Sequence, residues 1–596
     1  MFQYRRVFCL AFIVFSPWVA ALLHSQTAAD NTATIKAKSR LVVVDVVVTN
    51  DKGDPITGLE KKDFEVLEEG KTQTIANFEE HHAAPITQIQ MPPLPPHVYT
   101  NFPLIQTADS INVILLDALN TPTRDQVYVR AQMLKYLRTI PPGTRVAIFT
   151  LASQLRMLQG VTTDSTQLVA VLNNMRPQQS ALLPGADENE ANDRFVQFLE
   201  QEDMNAAPQT RDLAAVDPVA VAKQFVADTA AFQTAQRIHL TLDAMQQLAF
   251  YLASVPGRKN VIWFSGSFPS GIFGDPDLSD PHNDASSFQE EIRKTTNLLA
   301  SAQLALYPVA AEGLISDLVY EANGQEIGGK RPSLAMRDQL KQMQVGETSR
   351  DLNHGTMETL AKDTGGQAYY NTNGLSGALA RVVNNGSRYY SLTYSPTNAT
   401  MDGKFRRIQV KLLNGKANLA YRRGYYAEDR ETLKKSDADP LLPLLGRNMP
   451  DYTQILLKLL VQPLNLQPPA DAPRIGSNTD LKGPTTRYSI DFAIPVSDLK
   501  LDPVSDGSRH GNIEVALVAY DQEGKPLNLV VTKGEVSLPA NEYASLLKGG
   551  LPIHKEIDVP QGRVYLRTGV YDLNASNAGT LGVPLTPVAA PPSKKK

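Results

Sequence analysis

The chain has 596 residues, 42% hydrophobic and 20% charged, with a formal net charge of −4. That length exceeds what one hydrophobic core holds and predicts about three or four domains. The near-balanced charge gives no field for a polyanion, which excludes nucleic acid as a default partner, and the single cysteine, Cys9, excludes a disulfide framework.

Arg5 and Arg6 precede an apolar run from Val7 to Leu23, and small and polar residues follow to Ala29. This pattern predicts a secretory signal over residues 1–29 and a protein that is periplasmic, cell-surface or extracellular. Cys9 lies within the apolar run, so the mature chain has no thiol. Pro17 and the shortness of the run argue against a retained anchor, and no later stretch is apolar enough to span a bilayer.

Residues 35–82 read as a β module. Ser39 to Thr49 is rich in β-branched residues, Asn50 to Gly53 is a turn, and the runs 64–68 and 72–78 alternate. So few strands are marginal alone. Residues 83–108, with Met91-Pro-Pro-Leu-Pro-Pro96, read as a stiff Pro-rich linker.

Residues 109–387 read as an α/β domain with a doubly wound, mostly parallel sheet. Ile111 to Asp117 is an apolar run that ends abruptly in a carboxylate. Val127, Ala131, Leu134 and Leu137 then recur at helical spacing, and Thr123 with Gln126 suits a capping box. Buried strands are predicted at 145–150, 260–265, 304–309 and 367–370, with an edge strand near 154–158. A helical insert covers about 178–234, and a further helix covers 242–252. Such sheets take ligands at the carboxyl ends of their strands, which places Asp117 at the candidate site.

Strands are again predicted at 389–394, 405–411 and 417–422. Their expected role is to complete the sheet begun by residues 35–82, with the α/β domain inserted between the two groups. Residues 427–450 read as a linker, 451–585 as a C-terminal β-sandwich, and 586–596 as a disordered tail.

The order of these pieces resembles a von Willebrand factor A domain. More closely, the chain is similar to the VWFA-related proteins characteristic of acidobacteria. The matching residues are Val43-Val-Asp-Val-Val-Val, Asp63-Phe-Glu-Val with Glu69-Gly70, Leu115-Leu-Asp117, Gly257 to Gly266, Thr364-Gly-Gly366 and Arg423-Gly-Tyr-Tyr426. The resemblance implies a site for Mg²⁺ or Mn²⁺, hard cations that take oxygen ligands and leave a position for a partner's carboxylate.

The implied ligands are Asp117 and Thr121, with Asn120 as a compensating donor. The chain departs from the pattern at Leu119, where a serine is expected, and at Gly266 in Ser265-Gly266-Ser267, where an aspartate is expected. Thr241 is a candidate for the loop threonine. Ser265, Ser267, Asp275 and Asp277 are candidate binding residues downstream of the strand end. The alternative role for Asp117 is to cap the turn and helix that follow it, and for the acidic loop to be a solvated surface.

There is no His-Glu-x-x-His, phosphate-binding loop or Gly-x-Ser-x-Gly elbow. The expected function is therefore non-enzymatic protein binding or adhesion outside the cytoplasm, built on a degenerate metal site. A metal-independent envelope scaffold stands beside it. A serine hydrolase using Ser265 or Ser267, with His282 or His354, is the remaining alternative.

Overall fold

A computed structural model describes residues 41–82, 93–102, 110–205, 218–266 without 254 and 256, 285–311, 354–370, 374–427, 439–465 without 448, 473–478, 481 and 484–585. The signal segment, Ser267, Asp275, Asp277, His282 and the tail lie outside these residues. Among the described residues no helix is long and apolar enough to cross a membrane.

The chain enters through Val42–Thr49 (β1), whose valines favour a pleated, two-sided surface. Phe64–Glu68 (β2) turns into Lys71–Gln73 (β3) through Glu69 and Gly70, which both take positive φ, as a tight hairpin requires. Ile75–His81 (β4) ends this group.

Val98–Thr100 (β5) follows within the segment read from composition as linker. It pairs antiparallel with residues 458–460 of the C-terminal region. Three residues among prolines carry no readable period, so only the tertiary partner reveals the strand.

The α/β domain contains Ser110–Asp117 (β6), Val146–Leu151 (β7), Leu155–Thr162 (β8), Arg258–Ser265 (β9) and Leu304–Ala310 (β10). Their order is β10-β9-β6-β7-β8, parallel except for the antiparallel edge strand β8. Helices cover both faces: Pro218–Ala253 and Ala285–Ser301 on one, Thr123–Leu137, Ser165–Asn174 and Leu375–Gly386 on the other. Every residue of β9 is buried, as expected of a strand covered on both sides.

Three local expectations change. The buried face of Thr123–Leu137 is Gln126, Val129, Met133, Tyr136 and Leu137, while Val127 is exposed, so the apolar period was displaced. Pro122 stands at the N-cap with no side-chain cap; Gln126 donates instead to the carbonyls of Thr121 and Gln178, so there is no capping box. Residues 367–370 form no strand, only a single parallel bridge from Tyr369 to Val309.

The helix predicted at 242–252 is the end of one 36-residue helix, Pro218–Ala253, that absorbs part of the insert. The rest of the described insert includes a 20-residue helix, Ala186–Asn205.

Tyr389–Tyr394 (β11), Phe405–Leu412 (β12), Asn418–Ala420 (β13) and Gly424–Tyr426 (β14) return to the first group. β11 lies between β1 and β4, with Val42 opposite Tyr394 and Tyr389 opposite His81. β12 pairs with β2. The two four-stranded sheets share one core of Val44, Val46, Val66, Leu392 and Val410. The hydroxyls of Tyr394 and Tyr425 both donate to buried Glu68, at 2.7 and 3.0 Å.

The C-terminal region holds Lys458–Asn465 (β15), Thr485–Ile494 (β16), Asp502–Pro503 (β17), Arg509–Tyr520 (β18), Pro526–Leu538 (β19), Leu551–Pro560 (β20), Val564–Asp572 (β21) and Asn577–Leu585 (β22). One sheet runs β20-β16-β15-β5 and the other joins β17, β18, β21 and β22, with β19 also on β18. Ile490, Leu459, Leu517 and Leu566 form a core common to both. The end of the predicted 427–450 linker is part of this body. Leu441, Leu445 and Met449 are buried, because their side chains cover sheet residues such as Ala516, Val518 and Ala578.

Candidate functional site

The chain leaves β6 toward β7 on one side and places β9 on the other, so the carboxyl ends of β6 and β9 flank the point where strand order reverses. Asp117 ends one strand and Ser265 the other. Both are buried, and Ser265 Oγ donates to Asp117 Oδ2 at 2.8 Å.

Three more donors converge on that carboxylate. The Asn120 backbone N–H reaches Oδ1 at 3.0 Å. The Asn120 amide and the Trp263 indole N–H reach Oδ2 at 2.9 and 3.1 Å. Burial pushes the Asp117 carboxyl above its ordinary range, and the hydrogen bonds from Asn120, Ser265 and Trp263 pull it back.

The helix Pro218–Ala253 closes the site from one face. Thr241 lies within this helix, not in a loop; it accepts from the Asn120 amide at 2.9 Å and donates to the Arg237 carbonyl at 2.7 Å. Arg237 donates from Nη1 to Asn120 Oδ1 at 3.4 Å. Burial pushes the guanidinium pKa down, and the nearby charge of Asp117 pulls it up. Asp117 therefore faces a cation that the chain itself provides.

The ligand set that the resemblance implies does not fit a divalent cation here. Both carboxylate oxygens accept from protein donors, and Thr121 Oγ1 accepts from the Gly266 N–H at 2.9 Å. Leu119 packs into the core. A Cβ on Gly266 would stand 2.7 Å from the Asn120 carbonyl oxygen, so the loop has closed over the space an aspartate needs. A cavity of about 300 Å³ opens beside Asp117, but Arg156 and Arg176 line it with no second carboxylate. Two guanidiniums in the lining disfavour a further positive charge in that cavity. Among the described residues no group of three His, Cys, Asp or Glu side chains is placed to hold a metal.

Asp117, Asn120, Thr121 and Ser265 therefore come together as predicted residues of one edge, but as a hydrogen-bonded node. Ser265 is 0% exposed, and its hydroxyl is committed to Asp117, which is not the setting of a nucleophile. His354 stacks on Tyr370, with ring centroids 4.3 Å apart.

Sequence reasoning passed over Arg237 and Trp263. The available signal was Arg237 at helical spacing with Thr241, Met245 and Leu248, a lone charge in the buried stripe of its helix.

No family model and no curated protein matches the chain. Among solved structures, it is similar to an aerotolerance-related membrane protein from Bacteroides fragilis, at 12% identity over 46% of this chain and 98% of that one, with a TM-score of 0.21. The BatB protein from Bacteroides thetaiotaomicron aligns with the same coverage and a TM-score of 0.20. The proximal thread matrix protein 1 of the mussel byssus, with a zinc-occupied MIDAS motif, aligns at 10% identity over 48% of each chain, with a TM-score of 0.20. Strand order and connection carry the description of the fold, and these likenesses add nothing to it.

Proposed function

We propose that this chain is an exported, non-enzymatic protein-binding protein whose α/β domain is of the von Willebrand factor A type and works without a divalent metal. The β modules on either side, including a C-terminal β-sandwich, hold that domain in place. The observation that carries this reading is the state of Asp117: four protein donors reach its carboxylate, three on Oδ2 and one on Oδ1, and Arg237 supplies the neighbouring positive charge. An edge of this kind recognises a partner through shape and hydrogen bonds, not through a shared cation.

Export rests on the basic and apolar N-terminal segment of the sequence. The closed Ser265 site argues against the hydrolase. A metal-independent envelope scaffold is the second reading, and it is favoured by Arg258, which bonds the α/β sheet to the first β module through the Asp45 carbonyl.

Calorimetric titration with Mg²⁺, Mn²⁺ and Ca²⁺ tests the metal-free site. The expected result is no binding heat. Stoichiometric binding that disappears in Asp117→Ala would overturn it.

A further inference from the structure

The amino end of the α/β sheet, opposite Asp117, carries a further cavity. Ser110 opens β6 there, and Pro141 to Arg145 turn the chain into β7. The last turn of Thr123–Leu137 and one face of Leu375–Gly386 complete the walls, around a volume of about 890 Å³. Sites that take small organic molecules usually measure about 300–1,000 Å³.

Three permanent cations, Lys135, Arg145 and Arg388, line this cavity, and among the described residues its lining holds no Asp or Glu. Lys135 makes no ion pair among the described residues. Arg388 donates from Nη1 to the amide oxygen of Asn384, which is uncharged. His82 is also in the lining, but Glu80 stands 3.7 Å from its ring and offsets it locally. A lysine in the last turn of a helix complements the helix dipole, which by itself explains Lys135. It does not explain the tyrosine beside it.

Tyr136 is 4% exposed, and its hydroxyl has no hydrogen-bond partner among the described residues. Buried hydroxyls are nearly always bonded, because one cut off from both water and protein costs free energy. Burial pushes the phenol pKa up, so the group stays a neutral donor. A donor without an acceptor, in the wall of a basic cavity, fits an anion rich in acceptor oxygens.

Other hydroxyls of the lining set the rest of the ligand's chemistry. Thr139, Thr144 and Ser387 donate to the main-chain carbonyls of Tyr136, Pro141 and Asn384, at 3.0, 2.8 and 2.9 Å. Their protons are committed, so they have only lone pairs to offer a ligand. Lone pairs suit a molecule that carries hydroxyl donors as well as charge.

We propose that this cavity binds a small polyhydroxylated organic anion, of the size and chemistry of a monosaccharide bearing a phosphate or a carboxylate. Lys135, Arg145 and Arg388 attract the anionic group, the Tyr136 hydroxyl donates to one of its oxygens, and Thr139, Thr144 and Ser387 accept from the ligand's hydroxyls. The cavity lies at the other end of β6 from Asp117, so it stands apart from the protein-binding reading of that edge.

The test is calorimetric titration of the full chain with glucose 6-phosphate and with glucuronate, against glucose and inorganic phosphate. The expected result is saturable binding of at least one charged sugar, weakened by salt, and no binding of glucose. Binding of the phosphate ester alone or of the carboxylate alone assigns the anionic group. Lys135→Ala with Arg388→Ala is expected to weaken binding by about tenfold or more, with an unchanged circular dichroism spectrum. Tyr136→Phe is expected to weaken it by about fivefold without lowering the melting temperature of the free chain, because the hydroxyl it removes has no partner there.

Binding of neither charged sugar, or equal binding of glucose, would overturn the proposal. So would inorganic phosphate that binds as tightly as glucose 6-phosphate, since the hydroxylated body would then contribute nothing. Native affinity in both variants would place the ligand elsewhere and overturn it as well.

Discussion

The indole N–H of Trp263 donates to the carboxylate of Asp117 at 3.1 Å, joining two neighbouring parallel strands at the edge where such sheets take ligands. A side chain that could have faced a ligand is instead bonded across the sheet. The site is best tested by removing its members one at a time.

Asp117→Ala leaves the Trp263, Ser265 and Asn120 donors and the Arg237 charge without their acceptor. It is expected to destabilise the chain by about 3–5 kcal/mol in urea unfolding. Trp263→Phe keeps the packing and removes one donor, with an expected cost of about 1 kcal/mol. Equal small losses in both variants would show that the carboxylate is not the centre of the node.

Gly266→Asp restores the residue type that the resemblance places at this position. The 2.7 Å approach of a Cβ to the Asn120 carbonyl predicts loss of stability with no gain of Mn²⁺ binding. Electron paramagnetic resonance of added Mn²⁺ reads the second half of this outcome. A bound-metal spectrum in the variant would refute the closed-loop account.

Lys259 is buried and donates from Nζ to the Ala302 carbonyl at 2.8 Å. Burial pushes its pKa down to about 8, against a smaller upward pull from Asp45. Below about pH 8 the ammonium is protonated in both states. Above that the folded chain sheds the proton while the unfolded chain keeps it up to 10.5. The unfolded state then binds more protons, so stability rises with pH from about 8 to 10.5, by at most about 1.4 kcal/mol per unit. Urea midpoints across that range should rise for the native chain relative to Lys259→Met; parallel curves would contradict the assignment.

Arg258 holds the other end of the sheet. Its Nη2 donates to the Gly365 carbonyl at 2.7 Å and to the Tyr307 hydroxyl at 3.2 Å, while Nη1 reaches the Asp45 carbonyl at 3.4 Å. A lysine cannot present those donors in a planar fork. Arg258→Lys is expected to cost about 2–3 kcal/mol and to speed amide exchange in Val42–Thr49. Unchanged exchange there would remove Arg258 as the joint between the modules.

Asn101 ties the edge strand Val98–Thr100 to the C-terminal region. Its amide donates to the Tyr452 and Ile455 carbonyls at 2.7 and 2.9 Å, and its oxygen accepts from the Leu457 N–H at 2.7 Å. Asn101→Ala is expected to cost about 2–3 kcal/mol, with earlier proteolysis near residues 93–102. Unaltered cleavage would mean that the strand is held by its ladder alone.

Features governed by local chemistry are legible in the residues alone. The valines of 42–49 and the apolar run into Asp117 mark strands by their residue types. Gly365, at φ +82, stops the helical residues 354–364 that precede it. The carboxylate at a strand end marked the edge that the structure then builds around Asp117, Asn120, Thr121 and Ser265.

Tertiary structure alone decided what that edge is. Arg237 lies 120 positions from Asp117 in the chain, and Val98–Thr100 finds its partner more than 350 positions away. Neither relation leaves a period or a spacing to read. Whether a carboxylate holds a metal or a ring of hydrogen bonds depends on which donors and charges burial brings within about 3 Å of it, and burial is a property of the folded chain.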